Sequence, residues 1–330
     1  MIKNKETCCK LSIGGQALIE GIMMQGPDGA AISVRCPDGT IDTEEIKVKH
    51  IKDKIKFLGW PFIRGVVNYI ESMVFGYKCL MISADKSGLE DIDSNDENAS
   101  KLDKWLSEHL NKKVMGVITG IASIIGVLLA FLLFFYLPTA SVNFLNKLCD
   151  GAITNYRAVF EGIIRMSIFV IYIALVSLMK DIKRTFMYHG AEHKTIFCYE
   201  NGLELTVDNV RKQSRFHPRC GTSFIFVIII ISVIISSVIS VTTTLHSNNL
   251  LWMGVKLLIL PLVTGCSYEF IKYAGRHNNI FVKVLAAPGL WMQRLTTKEP
   301  DDKMIEVAIA AFKAVLPDEE MDKEKAEDEA

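Results

Sequence analysis

Four stretches of the chain are apolar for long enough to cross a hydrocarbon core of about 30 Å. Val114 to Leu137 carries no charge, and Phe224 to Leu245 is equally clean and rich in Ile and Val. Ala158 to Met179 has the length but includes Glu161 and Arg165, and Leu250 to Phe270 is interrupted by Lys256 and Pro261. Ahead of them, Phe57 to Ile82 is apolar with Arg64, Asn68, Glu71 and Lys78 at i, i+4, i+7 and i+14, which is one polar helical stripe. A crossing there would put Glu71 at mid-depth, so the pattern predicts an amphipathic helix on the membrane surface or against the bundle. Further upstream the period falls to two. Ala31–Arg35 and Thr43–Val48 alternate partially and flank the turn signal Pro37-Asp38-Gly39-Thr40, while Gly14-Gly15 and Gly26-Pro27 punctuate the stretch before them.

The expected fold is therefore mainly α: a multi-pass membrane protein with four transmembrane helices, a small N-terminal β-rich cytoplasmic unit and an amphipathic helix. The boundaries read as a β-rich unit over 1–54, the surface helix over 55–82 and an acidic linker with a basic juxtamembrane segment over 83–113. A four-span bundle follows over 114–270, with a polar loop at 180–222, and a cytoplasmic C-terminal segment over 271–330 ends in a disordered acidic tail. Composition agrees, since half of the 330 residues are hydrophobic and the mean hydropathy is +0.26.

Charge sets the orientation. Met1 to Lys10 is polar and leads into no apolar signal core, so the N-terminus is expected to stay on the side of synthesis. Lys101, Lys104, Lys112 and Lys113 precede the first span, and Lys180, Lys183, Arg184, Lys194, Arg211, Lys212, Arg215 and Arg219 lie between the second and third. The opposite loops hold only Lys147 and Arg157, or no basic residue, so both termini and the 180–222 loop face the cytoplasm. The basic residues sit at span ends and the net charge is zero, which gives a nucleic-acid partner no support; the expected partners are the lipid bilayer and a protein on the cytoplasmic face. Eight cysteines without a paired framework argue against structural disulfides.

The chemistry lies in the polar loop. His189-Gly190-Ala191-Glu192-His193 places two imidazoles one turn apart on one helical face with a carboxylate beside them, the H-x-x-E-H pattern of inverted zincins. Zinc takes such ligands, and a neighbouring carboxylate can act as a general base on water. His217-Pro218-Arg219-Cys220 adds two more potential ligands. A helix continuing straight from the second span would carry His189 about 15 Å beyond its end, and an extended connection from the third span could bring His217 down about 20 Å. The expected site is juxtamembrane: His189, His193, His217 and Cys220 as ligands of zinc or another divalent transition metal, and Glu192 as base. Glu192 could equally orient a histidine or pair with Lys194, and the further carboxylate ligand of an inverted zincin is open among Glu200, Glu204 and Glu269. Within the membrane, Glu161 and Arg165 are expected to satisfy one another at i, i+4, and Lys256 to snorkel outward. Gly116-x-x-x-Gly120 is a weak helix-packing signal.

These blocks carry a resemblance. Gly14-Gly15-Gln16-Ala17, Ile19-Glu20-Gly21 and Met23–Pro27 are similar to the N-terminal signature of the YqhQ-like bacterial membrane family, a domain of unknown function described as a predicted metal-dependent enzyme. Tyr188–Thr195 and His217–Ser223 resemble its central signatures, and Pro288–Thr297 with Glu299-Pro300-Asp301 and Glu306-Val307-Ala308 its C-terminal one. The resemblance covers nearly the whole chain and implies a multi-pass protein of the bacterial plasma membrane, with no substrate attached. Three functions remain open. One is a metal-dependent hydrolase with His ligands and Glu192 as base; another is a non-catalytic scaffold or assembly factor with a structural zinc site, which four protein ligands would favour. Transport rests only on Glu161, Arg165 and Lys256, and four spans without repeats make a small transporter.

Overall fold

A computed structural model describes residues 13–48, 55–88 and 112–317, apart from 219, 244, 246–247, 275–276 and 278. The expected acidic linker (mostly 89–111) and the tail from 318 lie outside the described residues.

The β-rich unit is a four-stranded antiparallel meander in the order β1 (Gly14–Leu18), β2 (Gly21–Gln25), β3 (Ala30–Arg35) and β4 (Ile41–Ile46). β3 and β4 fall where alternation predicts strands. β1 and β2 are additional, built from the stretch that reads as glycine punctuation. Leu18 pairs with Gly21, leaving Ile19-Glu20 as the hairpin turn with Glu20 at φ 50°. Alternation sends the two faces to different partners. Ile22, Met24 and Ala31 join one core with the helices that follow, whereas Leu18, Met23, Ile32 and Val34 join another with Cys79.

The second core lies under α1 (Ile63–Lys86), the expected amphipathic helix. Arg64 and Asn68 of its polar stripe turn to a neighbouring helix, whereas Lys78 is exposed. Arg64 donates to both carboxylate oxygens of Glu269, at 2.7 and 2.5 Å, and Asn68 donates to the Tyr268 hydroxyl at 2.8 Å. The exposed side is otherwise apolar, with Ile70, Met73, Val74 and Tyr77 all more than half exposed. Packing against Tyr268 and Glu269 thus satisfies Arg64 and Asn68 and leaves apolar side chains outward.

Among the described residues, three helices are long and apolar enough to cross a membrane, or four if a bent pair forms one span. The first runs through α2 (Lys112–Phe131), a π-helical turn (Leu132–Tyr136) and α3 (Leu137–Leu148), further than the apolar run alone predicts. Pro138 explains the π turn: it cannot donate a helical hydrogen bond, and the loosened ladder leaves the Phe134 carbonyl for Arg165, whose Nε donates to it at 2.9 Å. α4 (Arg157–Val176) and α7 (Thr222–Thr242) are the second and third. α8 (Asn249–Leu258) and α9 (Leu260–Ala274) make the fourth, bent by 43° ahead of Pro261.

Glu161 and Arg165 do not pair as i, i+4 suggests, and Lys256 does not snorkel. Glu161 accepts from Arg157 at 3.1 Å, from the Trp252 indole at 3.3 Å and from Lys256, whose ammonium also donates to Thr139 at 2.8 Å. Lys256 and Glu161 are both buried, and Arg165 bonds Phe134 and Ser232 instead. Arg157, four residues before Glu161, and Lys256, from α8, hold the carboxylate in place of Arg165, four residues after it.

The second span does not continue straight into the histidine helix either. Ser177 to Met179 break it, with Met179 extended at ψ 135°, and α5 (Lys180–Glu200) starts afresh. α6 (Val207–Arg211) follows, and α10 (Ile280–Thr296) and α11 (Asp302–Lys313) complete the chain. α11 is core: Met304, Ile305, Val307, Ala308, Ala311 and Phe312 bury one face against α5 and the sheet. α10 packs on α7 and ends beneath α5, which carries the C-terminal block to the histidines.

Candidate metal centre

Helical spacing puts His189 and His193 on the same face of α5, their ring centroids 4.4 Å apart. Each ring has one nitrogen engaged by a backbone carbonyl: His189 Nδ1 lies 2.9 Å from Thr296 O, and His193 Nδ1 lies 2.6 Å from Arg215 O. Donation to those carbonyls places the proton on Nδ1 and leaves each Nε2 as a lone-pair donor, the arrangement that backbone carbonyls behind the ring give to metal-ligating histidines. Cys220 Sγ sits 3.3 Å from His189 Nε2. One ligand atom from each of His189, His193 and Cys220 can be chosen so that all lie within 4.8 Å of one another. Ligand atoms around a tetrahedral zinc are separated by about 3.4–3.7 Å, from bonds of about 2.0–2.3 Å, so small side-chain adjustments suffice. The two imidazoles and one thiol fit a borderline-soft divalent metal such as zinc.

His217 is set apart from these three. Its ring lies 5.7 Å from that of His193 and 4.7 Å from Phe197, and its Nε2 is 3.5 Å from a Glu200 carboxylate oxygen. Burial pushes the His217 imidazole down to about 4 against the pull of Glu192, and burial also lowers His193, so both rings are held neutral. Of the other carboxylates considered as ligands, Glu204 is exposed and Glu269 is engaged by Arg64 on the far side of α1.

Glu192 is buried and lines a cavity of about 360 Å³ shared with His189, His193, His217 and Cys220. Burial raises its carboxyl above the ordinary range, offset in part by His189, His217 and the Gly15 N–H that faces it. Its Oε2 accepts no hydrogen bond from the described residues. Pairing with Lys194 does not occur: Lys194 reaches Glu299 at 2.8 Å and the Arg211 carbonyl at 2.9 Å.

The support comes from residues that carry no chemistry of their own. Gln293, fully buried, accepts from His217 N and donates to His217 O, both at 2.7 Å, and so clamps the His217–Cys220 turn to α10. Glu20 accepts from Arg184 and from the Tyr188 hydroxyl, docking the β1–β2 hairpin onto α5. Nothing in residue type singles out Gln293, Thr296 or Arg215 as site residues, because two of them act through backbone carbonyls; only the resemblance of Pro288–Thr297 to a family signature points to Gln293 and Thr296. Arg219 lies outside the described residues.

Gly190 has a specific reason to be glycine. A Cβ there would stand 2.0 Å from Lys298 O and 3.5 Å from Pro300 Cδ, because the segment leaving α10 passes α5 at this point and donates Lys298 N to Phe186 O at 2.8 Å. Helix propensity favours Gly190→Ala by about 0.5–1 kcal/mol, but overpacking against backbone costs about 1–3 kcal/mol or more. The clash should win. Gly190→Ala is expected to lower the melting temperature, and by shifting Thr296 from His189 to weaken metal binding by about 10–100-fold; unchanged unfolding and metal titration would refute this.

A profile of the family described as "Protein of unknown function (DUF1385)" matches residues 60–318. The chain is also 35% identical over 309 residues, 92% of each chain, to "Uncharacterized protein YqhQ" of Bacillus subtilis (strain 168). No solved structure matches. The profile spans helix α1 through α11 and the relative matches over nine-tenths of the chain, so the chain belongs to the DUF1385 family.

Proposed function

We propose that this chain is a membrane-embedded, metal-dependent hydrolase whose centre lies at the cytoplasmic surface of the plasma membrane. His189, His193 and Cys220 hold zinc or a similar divalent metal, a fourth position stays open to water, and Glu192 serves as general base. The observation that carries this reading is the convergence of the three ligand atoms within 4.8 Å beside a buried carboxylate with an uncommitted oxygen. Three protein ligands and one open position is the pattern of catalytic rather than structural zinc. The metal supplies Lewis acidity to water and to a substrate carbonyl. Glu192 takes the proton from water and returns it to the leaving group; the carbonyls of Thr296 and Arg215 keep both imidazoles oriented. The apolar helices and the basic residues flanking α5 support the membrane placement and the orientation.

The test is metal analysis of the detergent-purified chain. Roughly one metal ion per chain is expected in the native protein and in Glu192→Gln, with His189→Ala, His193→Ala and Cys220→Ala losing most of it. After cobalt exchange, acetohydroxamate should change the visible spectrum by entering the open position. A metal-free native protein would sink the metal reading. A metal-loaded protein whose spectrum ignores the hydroxamate would mean that His217 closes the site, and the scaffold reading with a structural zinc would replace the hydrolase.

A further inference from the structure

Building on the hydrolase reading, we propose that the substrate is a membrane-borne amphiphile. Its acyl chain stays at the cytoplasmic leaflet while its ester or amide reaches the metal centre along an apolar track on α5.

The track begins where the second span ends. The break at Ser177–Met179 leaves Leu178 and Met179 exposed, at 77% and 56%, and α5 starts directly after them. Ile182 and Phe186 follow on the helical face that carries His189 and His193, at i, i+4, i+7 and i+11. Neither is fully buried, so an apolar surface leads from the span end to the ligands. His189 lies about 15 Å along α5 from Met179, at about 1.5 Å per residue. Across the cavity, Gly221 is exposed and is the last residue before α7, the third span. Two span ends therefore flank the site.

Burial grades in the same direction. Glu192, His193, Ile196 and His217 are buried and make the floor of the cavity. Thr185, Phe186 and His189, nearer the span, keep exposed surface, and Gly14 and Gly15 of β1 make the opposite rim. Among the described residues no Lys, Arg or Asp lines the cavity, so a charged soluble substrate finds no cation there; Ile13, Ala17, Phe186 and Ile196 line it instead. At about 360 Å³ it stands at the small end of sites that enclose a whole ligand. A scissile group and the first part of a chain fit, and the rest of the chain lies outside, on the track. Lys180 and Lys183 are exposed beside the track, where the anionic headgroups of a cytoplasmic leaflet attract cations.

The reaction is hydrolysis of the acyl bond. Water oxygen bonds to the carbonyl carbon, the bond from that carbon to the ester oxygen or amide nitrogen breaks, and the proton taken by Glu192 passes to the departing atom. A free long-chain acid and an alcohol or amine result, with no further reactant.

The experiment places the full-length, cobalt-exchanged chain in vesicles of phosphatidylcholine with a minority of phosphatidylglycerol, with metal content measured on the same sample. Straight-chain hydroxamates from acetohydroxamate to dodecanohydroxamate are titrated, and the cobalt spectrum reads their entry. The sign of the trend decides the route. A bilayer concentrates the longer homologues in its leaflets. A site fed from the leaflet binds them tighter at equal total concentration, by about tenfold or more; a site fed from water finds them sequestered and binds them more weakly. Met179→Glu, at an exposed position outside the cavity, should weaken dodecanohydroxamate about tenfold and leave acetohydroxamate unchanged. A merely structural effect would move both. Acetohydroxamate binding without tightening along the series, or tightening indifferent to Met179→Glu, overturns the amphiphile proposal alone. Absence of metal, or a spectrum that ignores every hydroxamate, overturns the hydrolase reading and takes the proposal with it.

Discussion

Glu161→Leu is expected to destabilise the helical bundle by about 3–5 kcal/mol. The carboxylate is buried and takes hydrogen bonds from Arg157, Trp252 and Lys256 together. Leucine fills the volume but leaves two cations from different helices without their shared counter-charge. Lys256 is 4% exposed and has no route to water that keeps α8 in place. Breaking a buried pair from one side costs far more than the pair contributes, since the remaining charge keeps its desolvation penalty. The sign of the second mutation follows: adding Lys256→Met to Glu161→Leu should recover part of the loss, a coupling that a cycle of thermal unfolding in detergent measures directly. Equal, additive losses in the two single variants would show that the cluster does not act as a unit. Metal content of the folded fraction should not change, because the cluster lies at the opposite end of α4 from the α5 histidines.

Gln293→Leu is expected to cost about 1–3 kcal/mol, chiefly from the His217 N–H left without its acceptor, since His217 O keeps the Cys220 N–H at 3.3 Å. Its amide is the partner given to both His217 N and His217 O. Leucine has nearly the same volume, so the effect isolates the hydrogen bonds from packing. The turn so released carries Cys220 three residues on. Metal affinity should therefore fall together with stability, whereas Gln293→Glu, which can still accept from His217 N, should lose less of both. A Gln293→Leu protein that melts and binds metal like the parent would remove the clamp from the account of the site.

Much of the candidate site is legible along the chain because its ligands come from two short local motifs. A spacing of four on a helix brings His189 and His193 together whatever the rest of the fold does. Cys220 and His217 are equally plain as residue types. Which of them joins the pair is not: both reach α5 through a turn whose path is set by Gln293, some seventy residues later, and that turn points Cys220 at His189 and His217 at Glu200. The β1–β2 hairpin was harder still to foresee. Its glycines depress strand propensity, and it is held by contacts with α1, α5 and α11 that no local pattern encodes.

The presence of helices long and apolar enough to cross a membrane belongs to composition, since an apolar run of sufficient length needs no partner to specify it. So do the polar stripe of α1 and the paired histidines, which helical periodicity alone produces. Tertiary structure decided everything that depends on choosing among several competent partners. Glu161 had one cation at i+4 and found two others; Lys194 left Glu192 for Glu299; Arg64 of the α1 stripe turned inward to Glu269. The physical reason is common to all three. A buried charge goes to the partner that satisfies it without giving up burial elsewhere, and that choice exists only once the helices are packed.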